Sequence, residues 1–269
     1  DMETGGAGDQ KGGNGGDAKR ILIRNESGAS IEMGSSDGRI AMPNGVQAIK
    51  AYAAGGDGGS ENGEGGAGGT IDIANDGVID MWLNAEGQRA DPERSIAGIY
   101  AESLGGSGQS SSDNSDAGGK GEPGRPIVIS NSGRISIDAI GIEEEFDPDE
   151  TSAAIFALSR GGDGGASPSK NTGGAGGGAA QSSGNYSPPY SSVVSVDTSG
   201  TISTRGDGIM GVVIRTRGGD GGDGNGSDDS RGGAAGAGGE SQVSVTGGAI
   251  STDGNNAYAI VTQSIGGIG

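Results

Sequence analysis

Across 269 residues the chain carries 63 glycines, only 3% aromatic and 30% apolar side chains, and a net charge of −19. So little apolar surface excludes an ordinary layered core, which draws on about 45–50% apolar residues. The acidic balance excludes a phosphate-binding face for nucleic acid and electrostatic docking on anionic lipid. With neither cysteine nor histidine, disulfides, thiolate metal sites and the commonest general base are excluded as well.

Few aromatics and high charge ordinarily read as disorder, but the scarce Ile and Val recur in short alternating runs, as strands require. Residues 1–19 read as the tail of a glycine tract (GGAGDQKGGNGG, 5–16). Five repeats follow, at approximately 20–69, 70–124, 125–191, 192–240 and 241–269. Each opens with a strand: Ile21-Leu22-Ile23, Ile71-Asp72-Ile73, Ile127-Val128-Ile129, Val194-Ser195-Val196 and Val243-Ser244-Val245. A glycine turn follows at Gly77, Gly133, Gly200 and Gly247-Gly248, and then a second strand anchored by Ile31, Ile79, Ile135, Ile202 or Ile250. The third strand reads AIKAYA (48–53), AGIYAES (97–103), AAIFALS (153–159), GVVIRTR (211–217) and YAIVTQS (258–264). Polar excursions at 90–95 and 143–150 lengthen the path to the third strand without disturbing it, as solenoids allow.

Three strands per repeat without helical periodicity predict an all-β fold, a parallel β-solenoid (β-helix) with one coil per repeat. Like strands of successive coils should then pair about 4.8 Å apart. Asn75 and Asn131 fall at equivalent turn positions and are expected to hydrogen-bond along the axis. Trp82 is expected to pack within the solenoid. Each coil ends in a glycine tract that runs out, reaches a polar tip and returns, often as GG-x-GG (Gly55–Gly59, Gly161–Gly165, Gly218–Gly222). Two readings of the tracts stand: flexible loops, since ordering glycine costs the most backbone entropy, or three-residue-per-turn polyglycine II legs packed side by side.

The junction Val261-Thr262-Gln263-Ser264-Ile265-Gly266-Gly267-Ile268-Gly269, with its variant Ala101-Glu102-Ser103-Leu104-Gly105-Gly106-Ser107-Gly108, resembles the A-x-Q-S-I-G-G-G-G signature of glycine-rich autotransporter passengers. These are surface proteins of Gram-negative bacteria. The resemblance implies an extracellular, cell-surface location and secretion through an outer-membrane barrel carried elsewhere in the full chain. It further implies an adhesive or biofilm role, with a host or neighbouring-cell surface, a glycan or a second copy as partner. Both ends of the chain look cut from a longer array, and no signal peptide is present at its start.

The expected role is structural or adhesive, not catalytic. Gly218-Gly219-Asp220-Gly221-Gly222-Asp223 fits the first six places of a calcium-binding repeat, but Asn225 stands where an apolar residue is required. The metal reading is therefore a weak calcium site at Asp220, Asp223, Asp228 and Asp229, which a solvated acidic tip explains equally well. No other cofactor is expected. Glu144 and Asp147, in the densest carboxylate run, are read as a solvated loop in preference to a polysaccharide hydrolase. An ice- or carbohydrate-binding role on a regular glycine face is the alternative function. Tyr186, Pro188, Pro189 and Tyr190 form an aromatic–proline cluster expected to pack on its own loop, and Arg215 and Arg217 are expected to point outward.

Overall fold

The computed structural model describes residues 2–6, 12–41, 45–84, 95–112, 117–141, 152–167, 173–179, 193–224 and 232–269. In chain order, β1 (Met2–Thr4) precedes the first full coil, β2 (Ile21–Asn25), β3 (Ser30–Met33), β4 (Ile40–Ala41) and β5 (Val46–Ala54). The second coil is β6 (Ile71–Asn75), β7 (Val78–Asn84) and β8 (Ile96–Leu104), and the third is β9 (Ile127–Asn131), β10 (Arg134–Ile140) and β11 (Ser152–Arg160). The fourth is β12 (Val193–Thr198), β13 (Thr201–Arg205) and β14 (Ile209–Arg217), and the fifth is β15 (Glu240–Val245), β16 (Ala249–Asp253) and β17 (Ile260–Ile265). The excursions at 90–94 and 143–150 and the Tyr186–Tyr190 cluster lie outside the described residues.

Every strand pairing is parallel, and the strands sort into three sheets. First strands pair in the order β15-β12-β9-β6-β2, second strands as β16-β13-β10-β7-β3, and third strands as β17-β14-β11-β8-β5-β1. The chain is thus a parallel β-solenoid. Its register is set by apolar columns: Ile31, Ile79, Ile135, Ile202 and Ile250 stand opposite one another through all five coils. Ile49, Ile99, Ile155, Val212 and Ile260 do the same in the third sheet. A slip of one residue would turn every one of these side chains to the outside. Fully buried Ile71, Ile79, Ile99, Ile127, Ile135, Ile155 and Ile202 fill the narrow interior, each contributing about 1.5–3 kcal/mol of burial. One element differs from expectation: Met2–Thr4, read as part of a glycine tract, is a strand in register with Tyr52–Ala54.

At the first turn, Asn25 Nδ2 donates to Asn75 Oδ1 at 2.7 Å, Asn75 Nδ2 to Asn131 Oδ1 at 2.7 Å, and Asn131 Nδ2 to Thr198 Oγ1 at 3.1 Å. The ladder expected for two coils runs through four. Beside it, a Cβ on Gly133 would strike the Gly77 carbonyl oxygen and one on Gly200 the Gly133 oxygen. Glycine serves here for close approach between coils, since neither residue has a positive φ.

Among the described residues the legs of the glycine tracts are ordered, which decides against the flexible-loop reading for the legs. Hydrogen bonds of 2.7–3.0 Å run from leg to leg across the array, joining Gly6, Gly16, Gly56, Gly66, Gly106, Glu122, Gly162, Gly177, Gly219, Gly236 and Gly267 in series. Outgoing and returning legs alternate along this series. A second set ties like legs together, as Gly105 N to Arg160 O and Gly65 N to Lys120 O. Both patterns repeat every third residue, as in polyglycine II. A Cβ on Gly162 would meet the Gly106 oxygen, and one on Gly219 the Gly162 oxygen, so legs can lie this close only without side chains. Glu122 stands in the series where the other returning legs carry Gly66, Gly177 or Gly236, and its N–H still reaches Gly106 O at 3.0 Å.

Candidate functional site

Three surfaces carry chemistry. The first is the outside of the outgoing glycine legs, where every third residue projects away from the layer. Its backbone N–H would otherwise lack a protein partner, and a side chain of the preceding coil supplies one. Asp57 Oδ1 accepts from Ser107 N at 2.8 Å, Asp163 Oδ1 from Asp220 N at 2.9 Å, and Asp220 Oδ1 from Ile268 N at 2.8 Å. On the returning legs Asp17 Oδ1 caps Ala67 N and Asn14 Oδ1 caps Glu64 N. Asp220, one of the four residues read as calcium ligands, therefore has one carboxylate oxygen committed to a neighbouring coil. Asp223 lies one triplet further along the same leg and accepts from Ser167 N through its backbone oxygen. Asp228 and Asp229 lie outside the described residues. Among the described residues no group of three or more acidic side chains is placed to hold a metal.

The second surface is the outer face of the third sheet, where strand alternation turns residues 50, 100, 156 and 213 outward in one column. Tyr100 and Phe156 stack with ring centroids 5.0 Å apart and 17° between planes. Lys50 lies 5.5 Å over the Tyr100 ring and Arg215 5.9 Å from the Phe156 ring centroid, so cations from two different coils cap the pair. Such contacts contribute about 0.5–2 kcal/mol each. Arg215 thus points outward as expected, onto an aromatic ring. Phe156, Met210 and Val213 are buried although they face away from the solenoid interior, so the outer face is covered at these positions, while Lys50 in the same column is exposed.

Within that face the Tyr100 hydroxyl donates to Glu102 Oε2 at 2.8 Å. Burial pushes Glu102 above the ordinary carboxylate range, against the opposing pull of that hydroxyl, Lys50 and Arg160. Burial also raises the Tyr100 and Tyr52 phenols, helped by the Glu102 charge. A carboxyl raised by folding contributes stability that is full below its unfolded pKa and is lost as pH rises through its folded value. Glu102→Gln, which keeps an acceptor for Tyr100, is accordingly expected to melt roughly 1–3 °C above the parent at pH 7. The gap should close near pH 4, with melting followed by circular dichroism at both pH values. An E102Q variant less stable than the parent at pH 7 would contradict the assignment.

The third surface lies on the outer face of the second sheet. In β7, Met81 and Leu83 are buried inward while Asp80, Trp82 and Asn84 alternate outward. Trp82, the single tryptophan, is therefore not part of the solenoid interior, contrary to the expectation from sequence. It stands opposite Asp138 of the next coil. In the first coil the matching place is taken by an extruded loop, Gly34 to Arg39, which separates β3 from β4. From this loop Arg39 reaches past the second coil, donating to the Leu83 and Asp138 carbonyl oxygens and to Asp138 Oδ2 at 2.9–3.2 Å. Arg134 pairs with Asp80, which is itself buried. The remaining carboxylate oxygens, Oδ1 of Asp80 and Oδ1 of Asp138, are buried and accept no hydrogen bond.

No family model, curated protein or solved structure matches this chain.

Alignment of the five repeats by their Ile columns places Asp80 and Trp82 on the same face as Ser136 and Asp138, so part of the third surface was within reach of sequence. Arg39 was not, because its loop has no counterpart in the other coils. The Lys50–Tyr100–Phe156–Arg215 stack was likewise missed, although the same register gives three of its four members.

Proposed function

We propose that this chain is a rigid, non-catalytic segment of a secreted bacterial cell-surface protein of the autotransporter type, presenting variable segments to a neighbouring surface. The observation that carries the reading is the double tie between successive coils. Each coil is bonded to the next through three parallel sheets and again through the glycine layer, so bending would have to break several ladders together. Sequence variation concentrates where an outgoing leg meets its returning leg (SENGE, ASPSKN, DGNGSDDS), away from the ladders. The absence of cysteine suits passage through an outer-membrane barrel, and the net charge of −19 suits a solvated exterior. The partner would be a host or neighbouring-cell surface, or a further copy.

The test is immunolabelling with antibodies raised against this chain, applied to the bacterium that produces it. Intact cells should label as strongly as cells with an opened envelope. Labelling only after the envelope is opened would overturn the reading.

A further inference from the structure

We infer that the outer face of the second sheet around Trp82 is a binding site for a neutral pyranose unit of a glycan. The inference deepens the adhesive part of the proposed function by naming a site and a ligand class, and it concerns a feature that a purely structural rod does not need.

Four observations converge. Trp82 is the only tryptophan of the chain and is turned outward by strand alternation, although the interior column at its level is filled by Met81 and Leu83. An indole held on a sheet face offers an apolar platform with a polar edge, the shape that the C–H face of a pyranose ring needs. Asp80 and Asp138 flank it on adjacent coils, and each keeps a buried Oδ1 that accepts no hydrogen bond. A buried carboxylate oxygen without a donor is costly, and sugar hydroxyls are donors that could satisfy it. Arg39 and Arg134, paired to the same two carboxylates through the other oxygens, provide N–H groups for sugar oxygens. Arg134 has a side chain 55% exposed, so it can turn aside to open Asp80 to a ligand.

Charge selects among ligands. The charged groups that flank Trp82 in the register are Glu32, Asp80 and Asp138 against Arg39, Arg134 and Arg205, with Asp37 in the loop beside it, on a chain of net charge −19. An anionic sugar would meet this acidic surplus, whereas a neutral one can donate to Asp80 once Arg134 turns aside.

The single tryptophan makes the test direct. The purified chain is titrated with neutral hexose oligomers (β-1,4-glucan, α-1,4-glucan and N-acetylglucosamine hexamers) and with an oligogalacturonate, following tryptophan emission and heat of binding. At least one neutral oligomer should shift the emission saturably at up to millimolar concentration. Trp82→Ala should weaken its binding tenfold or more by calorimetry, as should Asp80→Asn, while Glu64→Gln on the glycine layer should leave it unchanged. Because Asp80 is buried, Arg134→Ala provides a second probe at a half-exposed position and should alter affinity at least threefold in a chain that keeps its strand signal. No saturable shift with any neutral oligomer, tighter binding of the oligogalacturonate, or binding unaffected by W82A and R134A would each overturn the site. None of these outcomes bears on surface labelling, so the glycan site and the cell-surface reading fail separately.

Discussion

Gly162→Ala is expected to lower the stability of the chain by about 3 kcal/mol or more, and its melting temperature by roughly 6–12 °C. The added methyl group has nowhere to go, because the Gly106 carbonyl oxygen of the neighbouring leg occupies its place. Backbone cannot turn aside as a side chain can, so the leg must move away. That movement strains two hydrogen bonds, Gly162 N to Glu122 O at 2.9 Å and Gly177 N to Gly162 O at 2.8 Å, each worth about 0.5–1.5 kcal/mol net. Overpacking adds about 1–3 kcal/mol. Ala234→Ser, at an exposed outward place in the same layer, should stay within about 0.5 kcal/mol of the parent. Urea denaturation of both variants separates the cases. Equal effects at the two positions would mean that the layer contributes nothing beyond its composition.

Asn75→Leu should cost about 2–4 kcal/mol, although it keeps the branched shape of the side chain and adds apolar surface. The Asn75 side chain is fully buried and sits in mid-ladder. Its loss leaves Asn131 Oδ1 without a donor, and Asn25 Nδ2 with only a long contact to Val78 O at 3.5 Å. Unsatisfied buried groups of this kind cost about 1–3 kcal/mol each. Asn75→Thr should cost less than the leucine variant, because Thr198 already serves as a rung of the same ladder in the fourth coil. Thermal melts of the two variants side by side check the order, and a leucine variant as stable as the parent would show the ladder to be energetically idle.

The fold was legible because its determinants are repeated. Ile79, Ile135 and Ile202 recur at fixed distances from Gly77, Gly133 and Gly200, and a pattern met three times in one chain supplies its own alignment. The Asn ladder was legible for the same reason. The glycine layer was half legible: GG-x-GG spacing suggested extended legs, but which N–H meets which carbonyl depends on how legs from different coils interleave. The Asp57, Asp163 and Asp220 caps follow from that interleaving, and the motif that includes Asp220 carries no sign of its cap. The Trp82 cluster was the least legible part. It joins a strand residue of one coil to a loop found only in another, and a repeat alignment treats such a loop as noise.

The alternation of outgoing and returning legs constrains how such a gene can change length. An outgoing leg bonds to the returning legs on either side of it, as Gly106 does to Gly66 and Glu122. Loss of one leg would bring two outgoing legs into a place shaped for an opposite pair. Duplication or deletion is therefore tolerated in whole coils, three strands and two legs at a time, while the segment between the legs is free to lengthen or shorten by single codons. Arrays of this kind should differ among close relatives by integral numbers of coils.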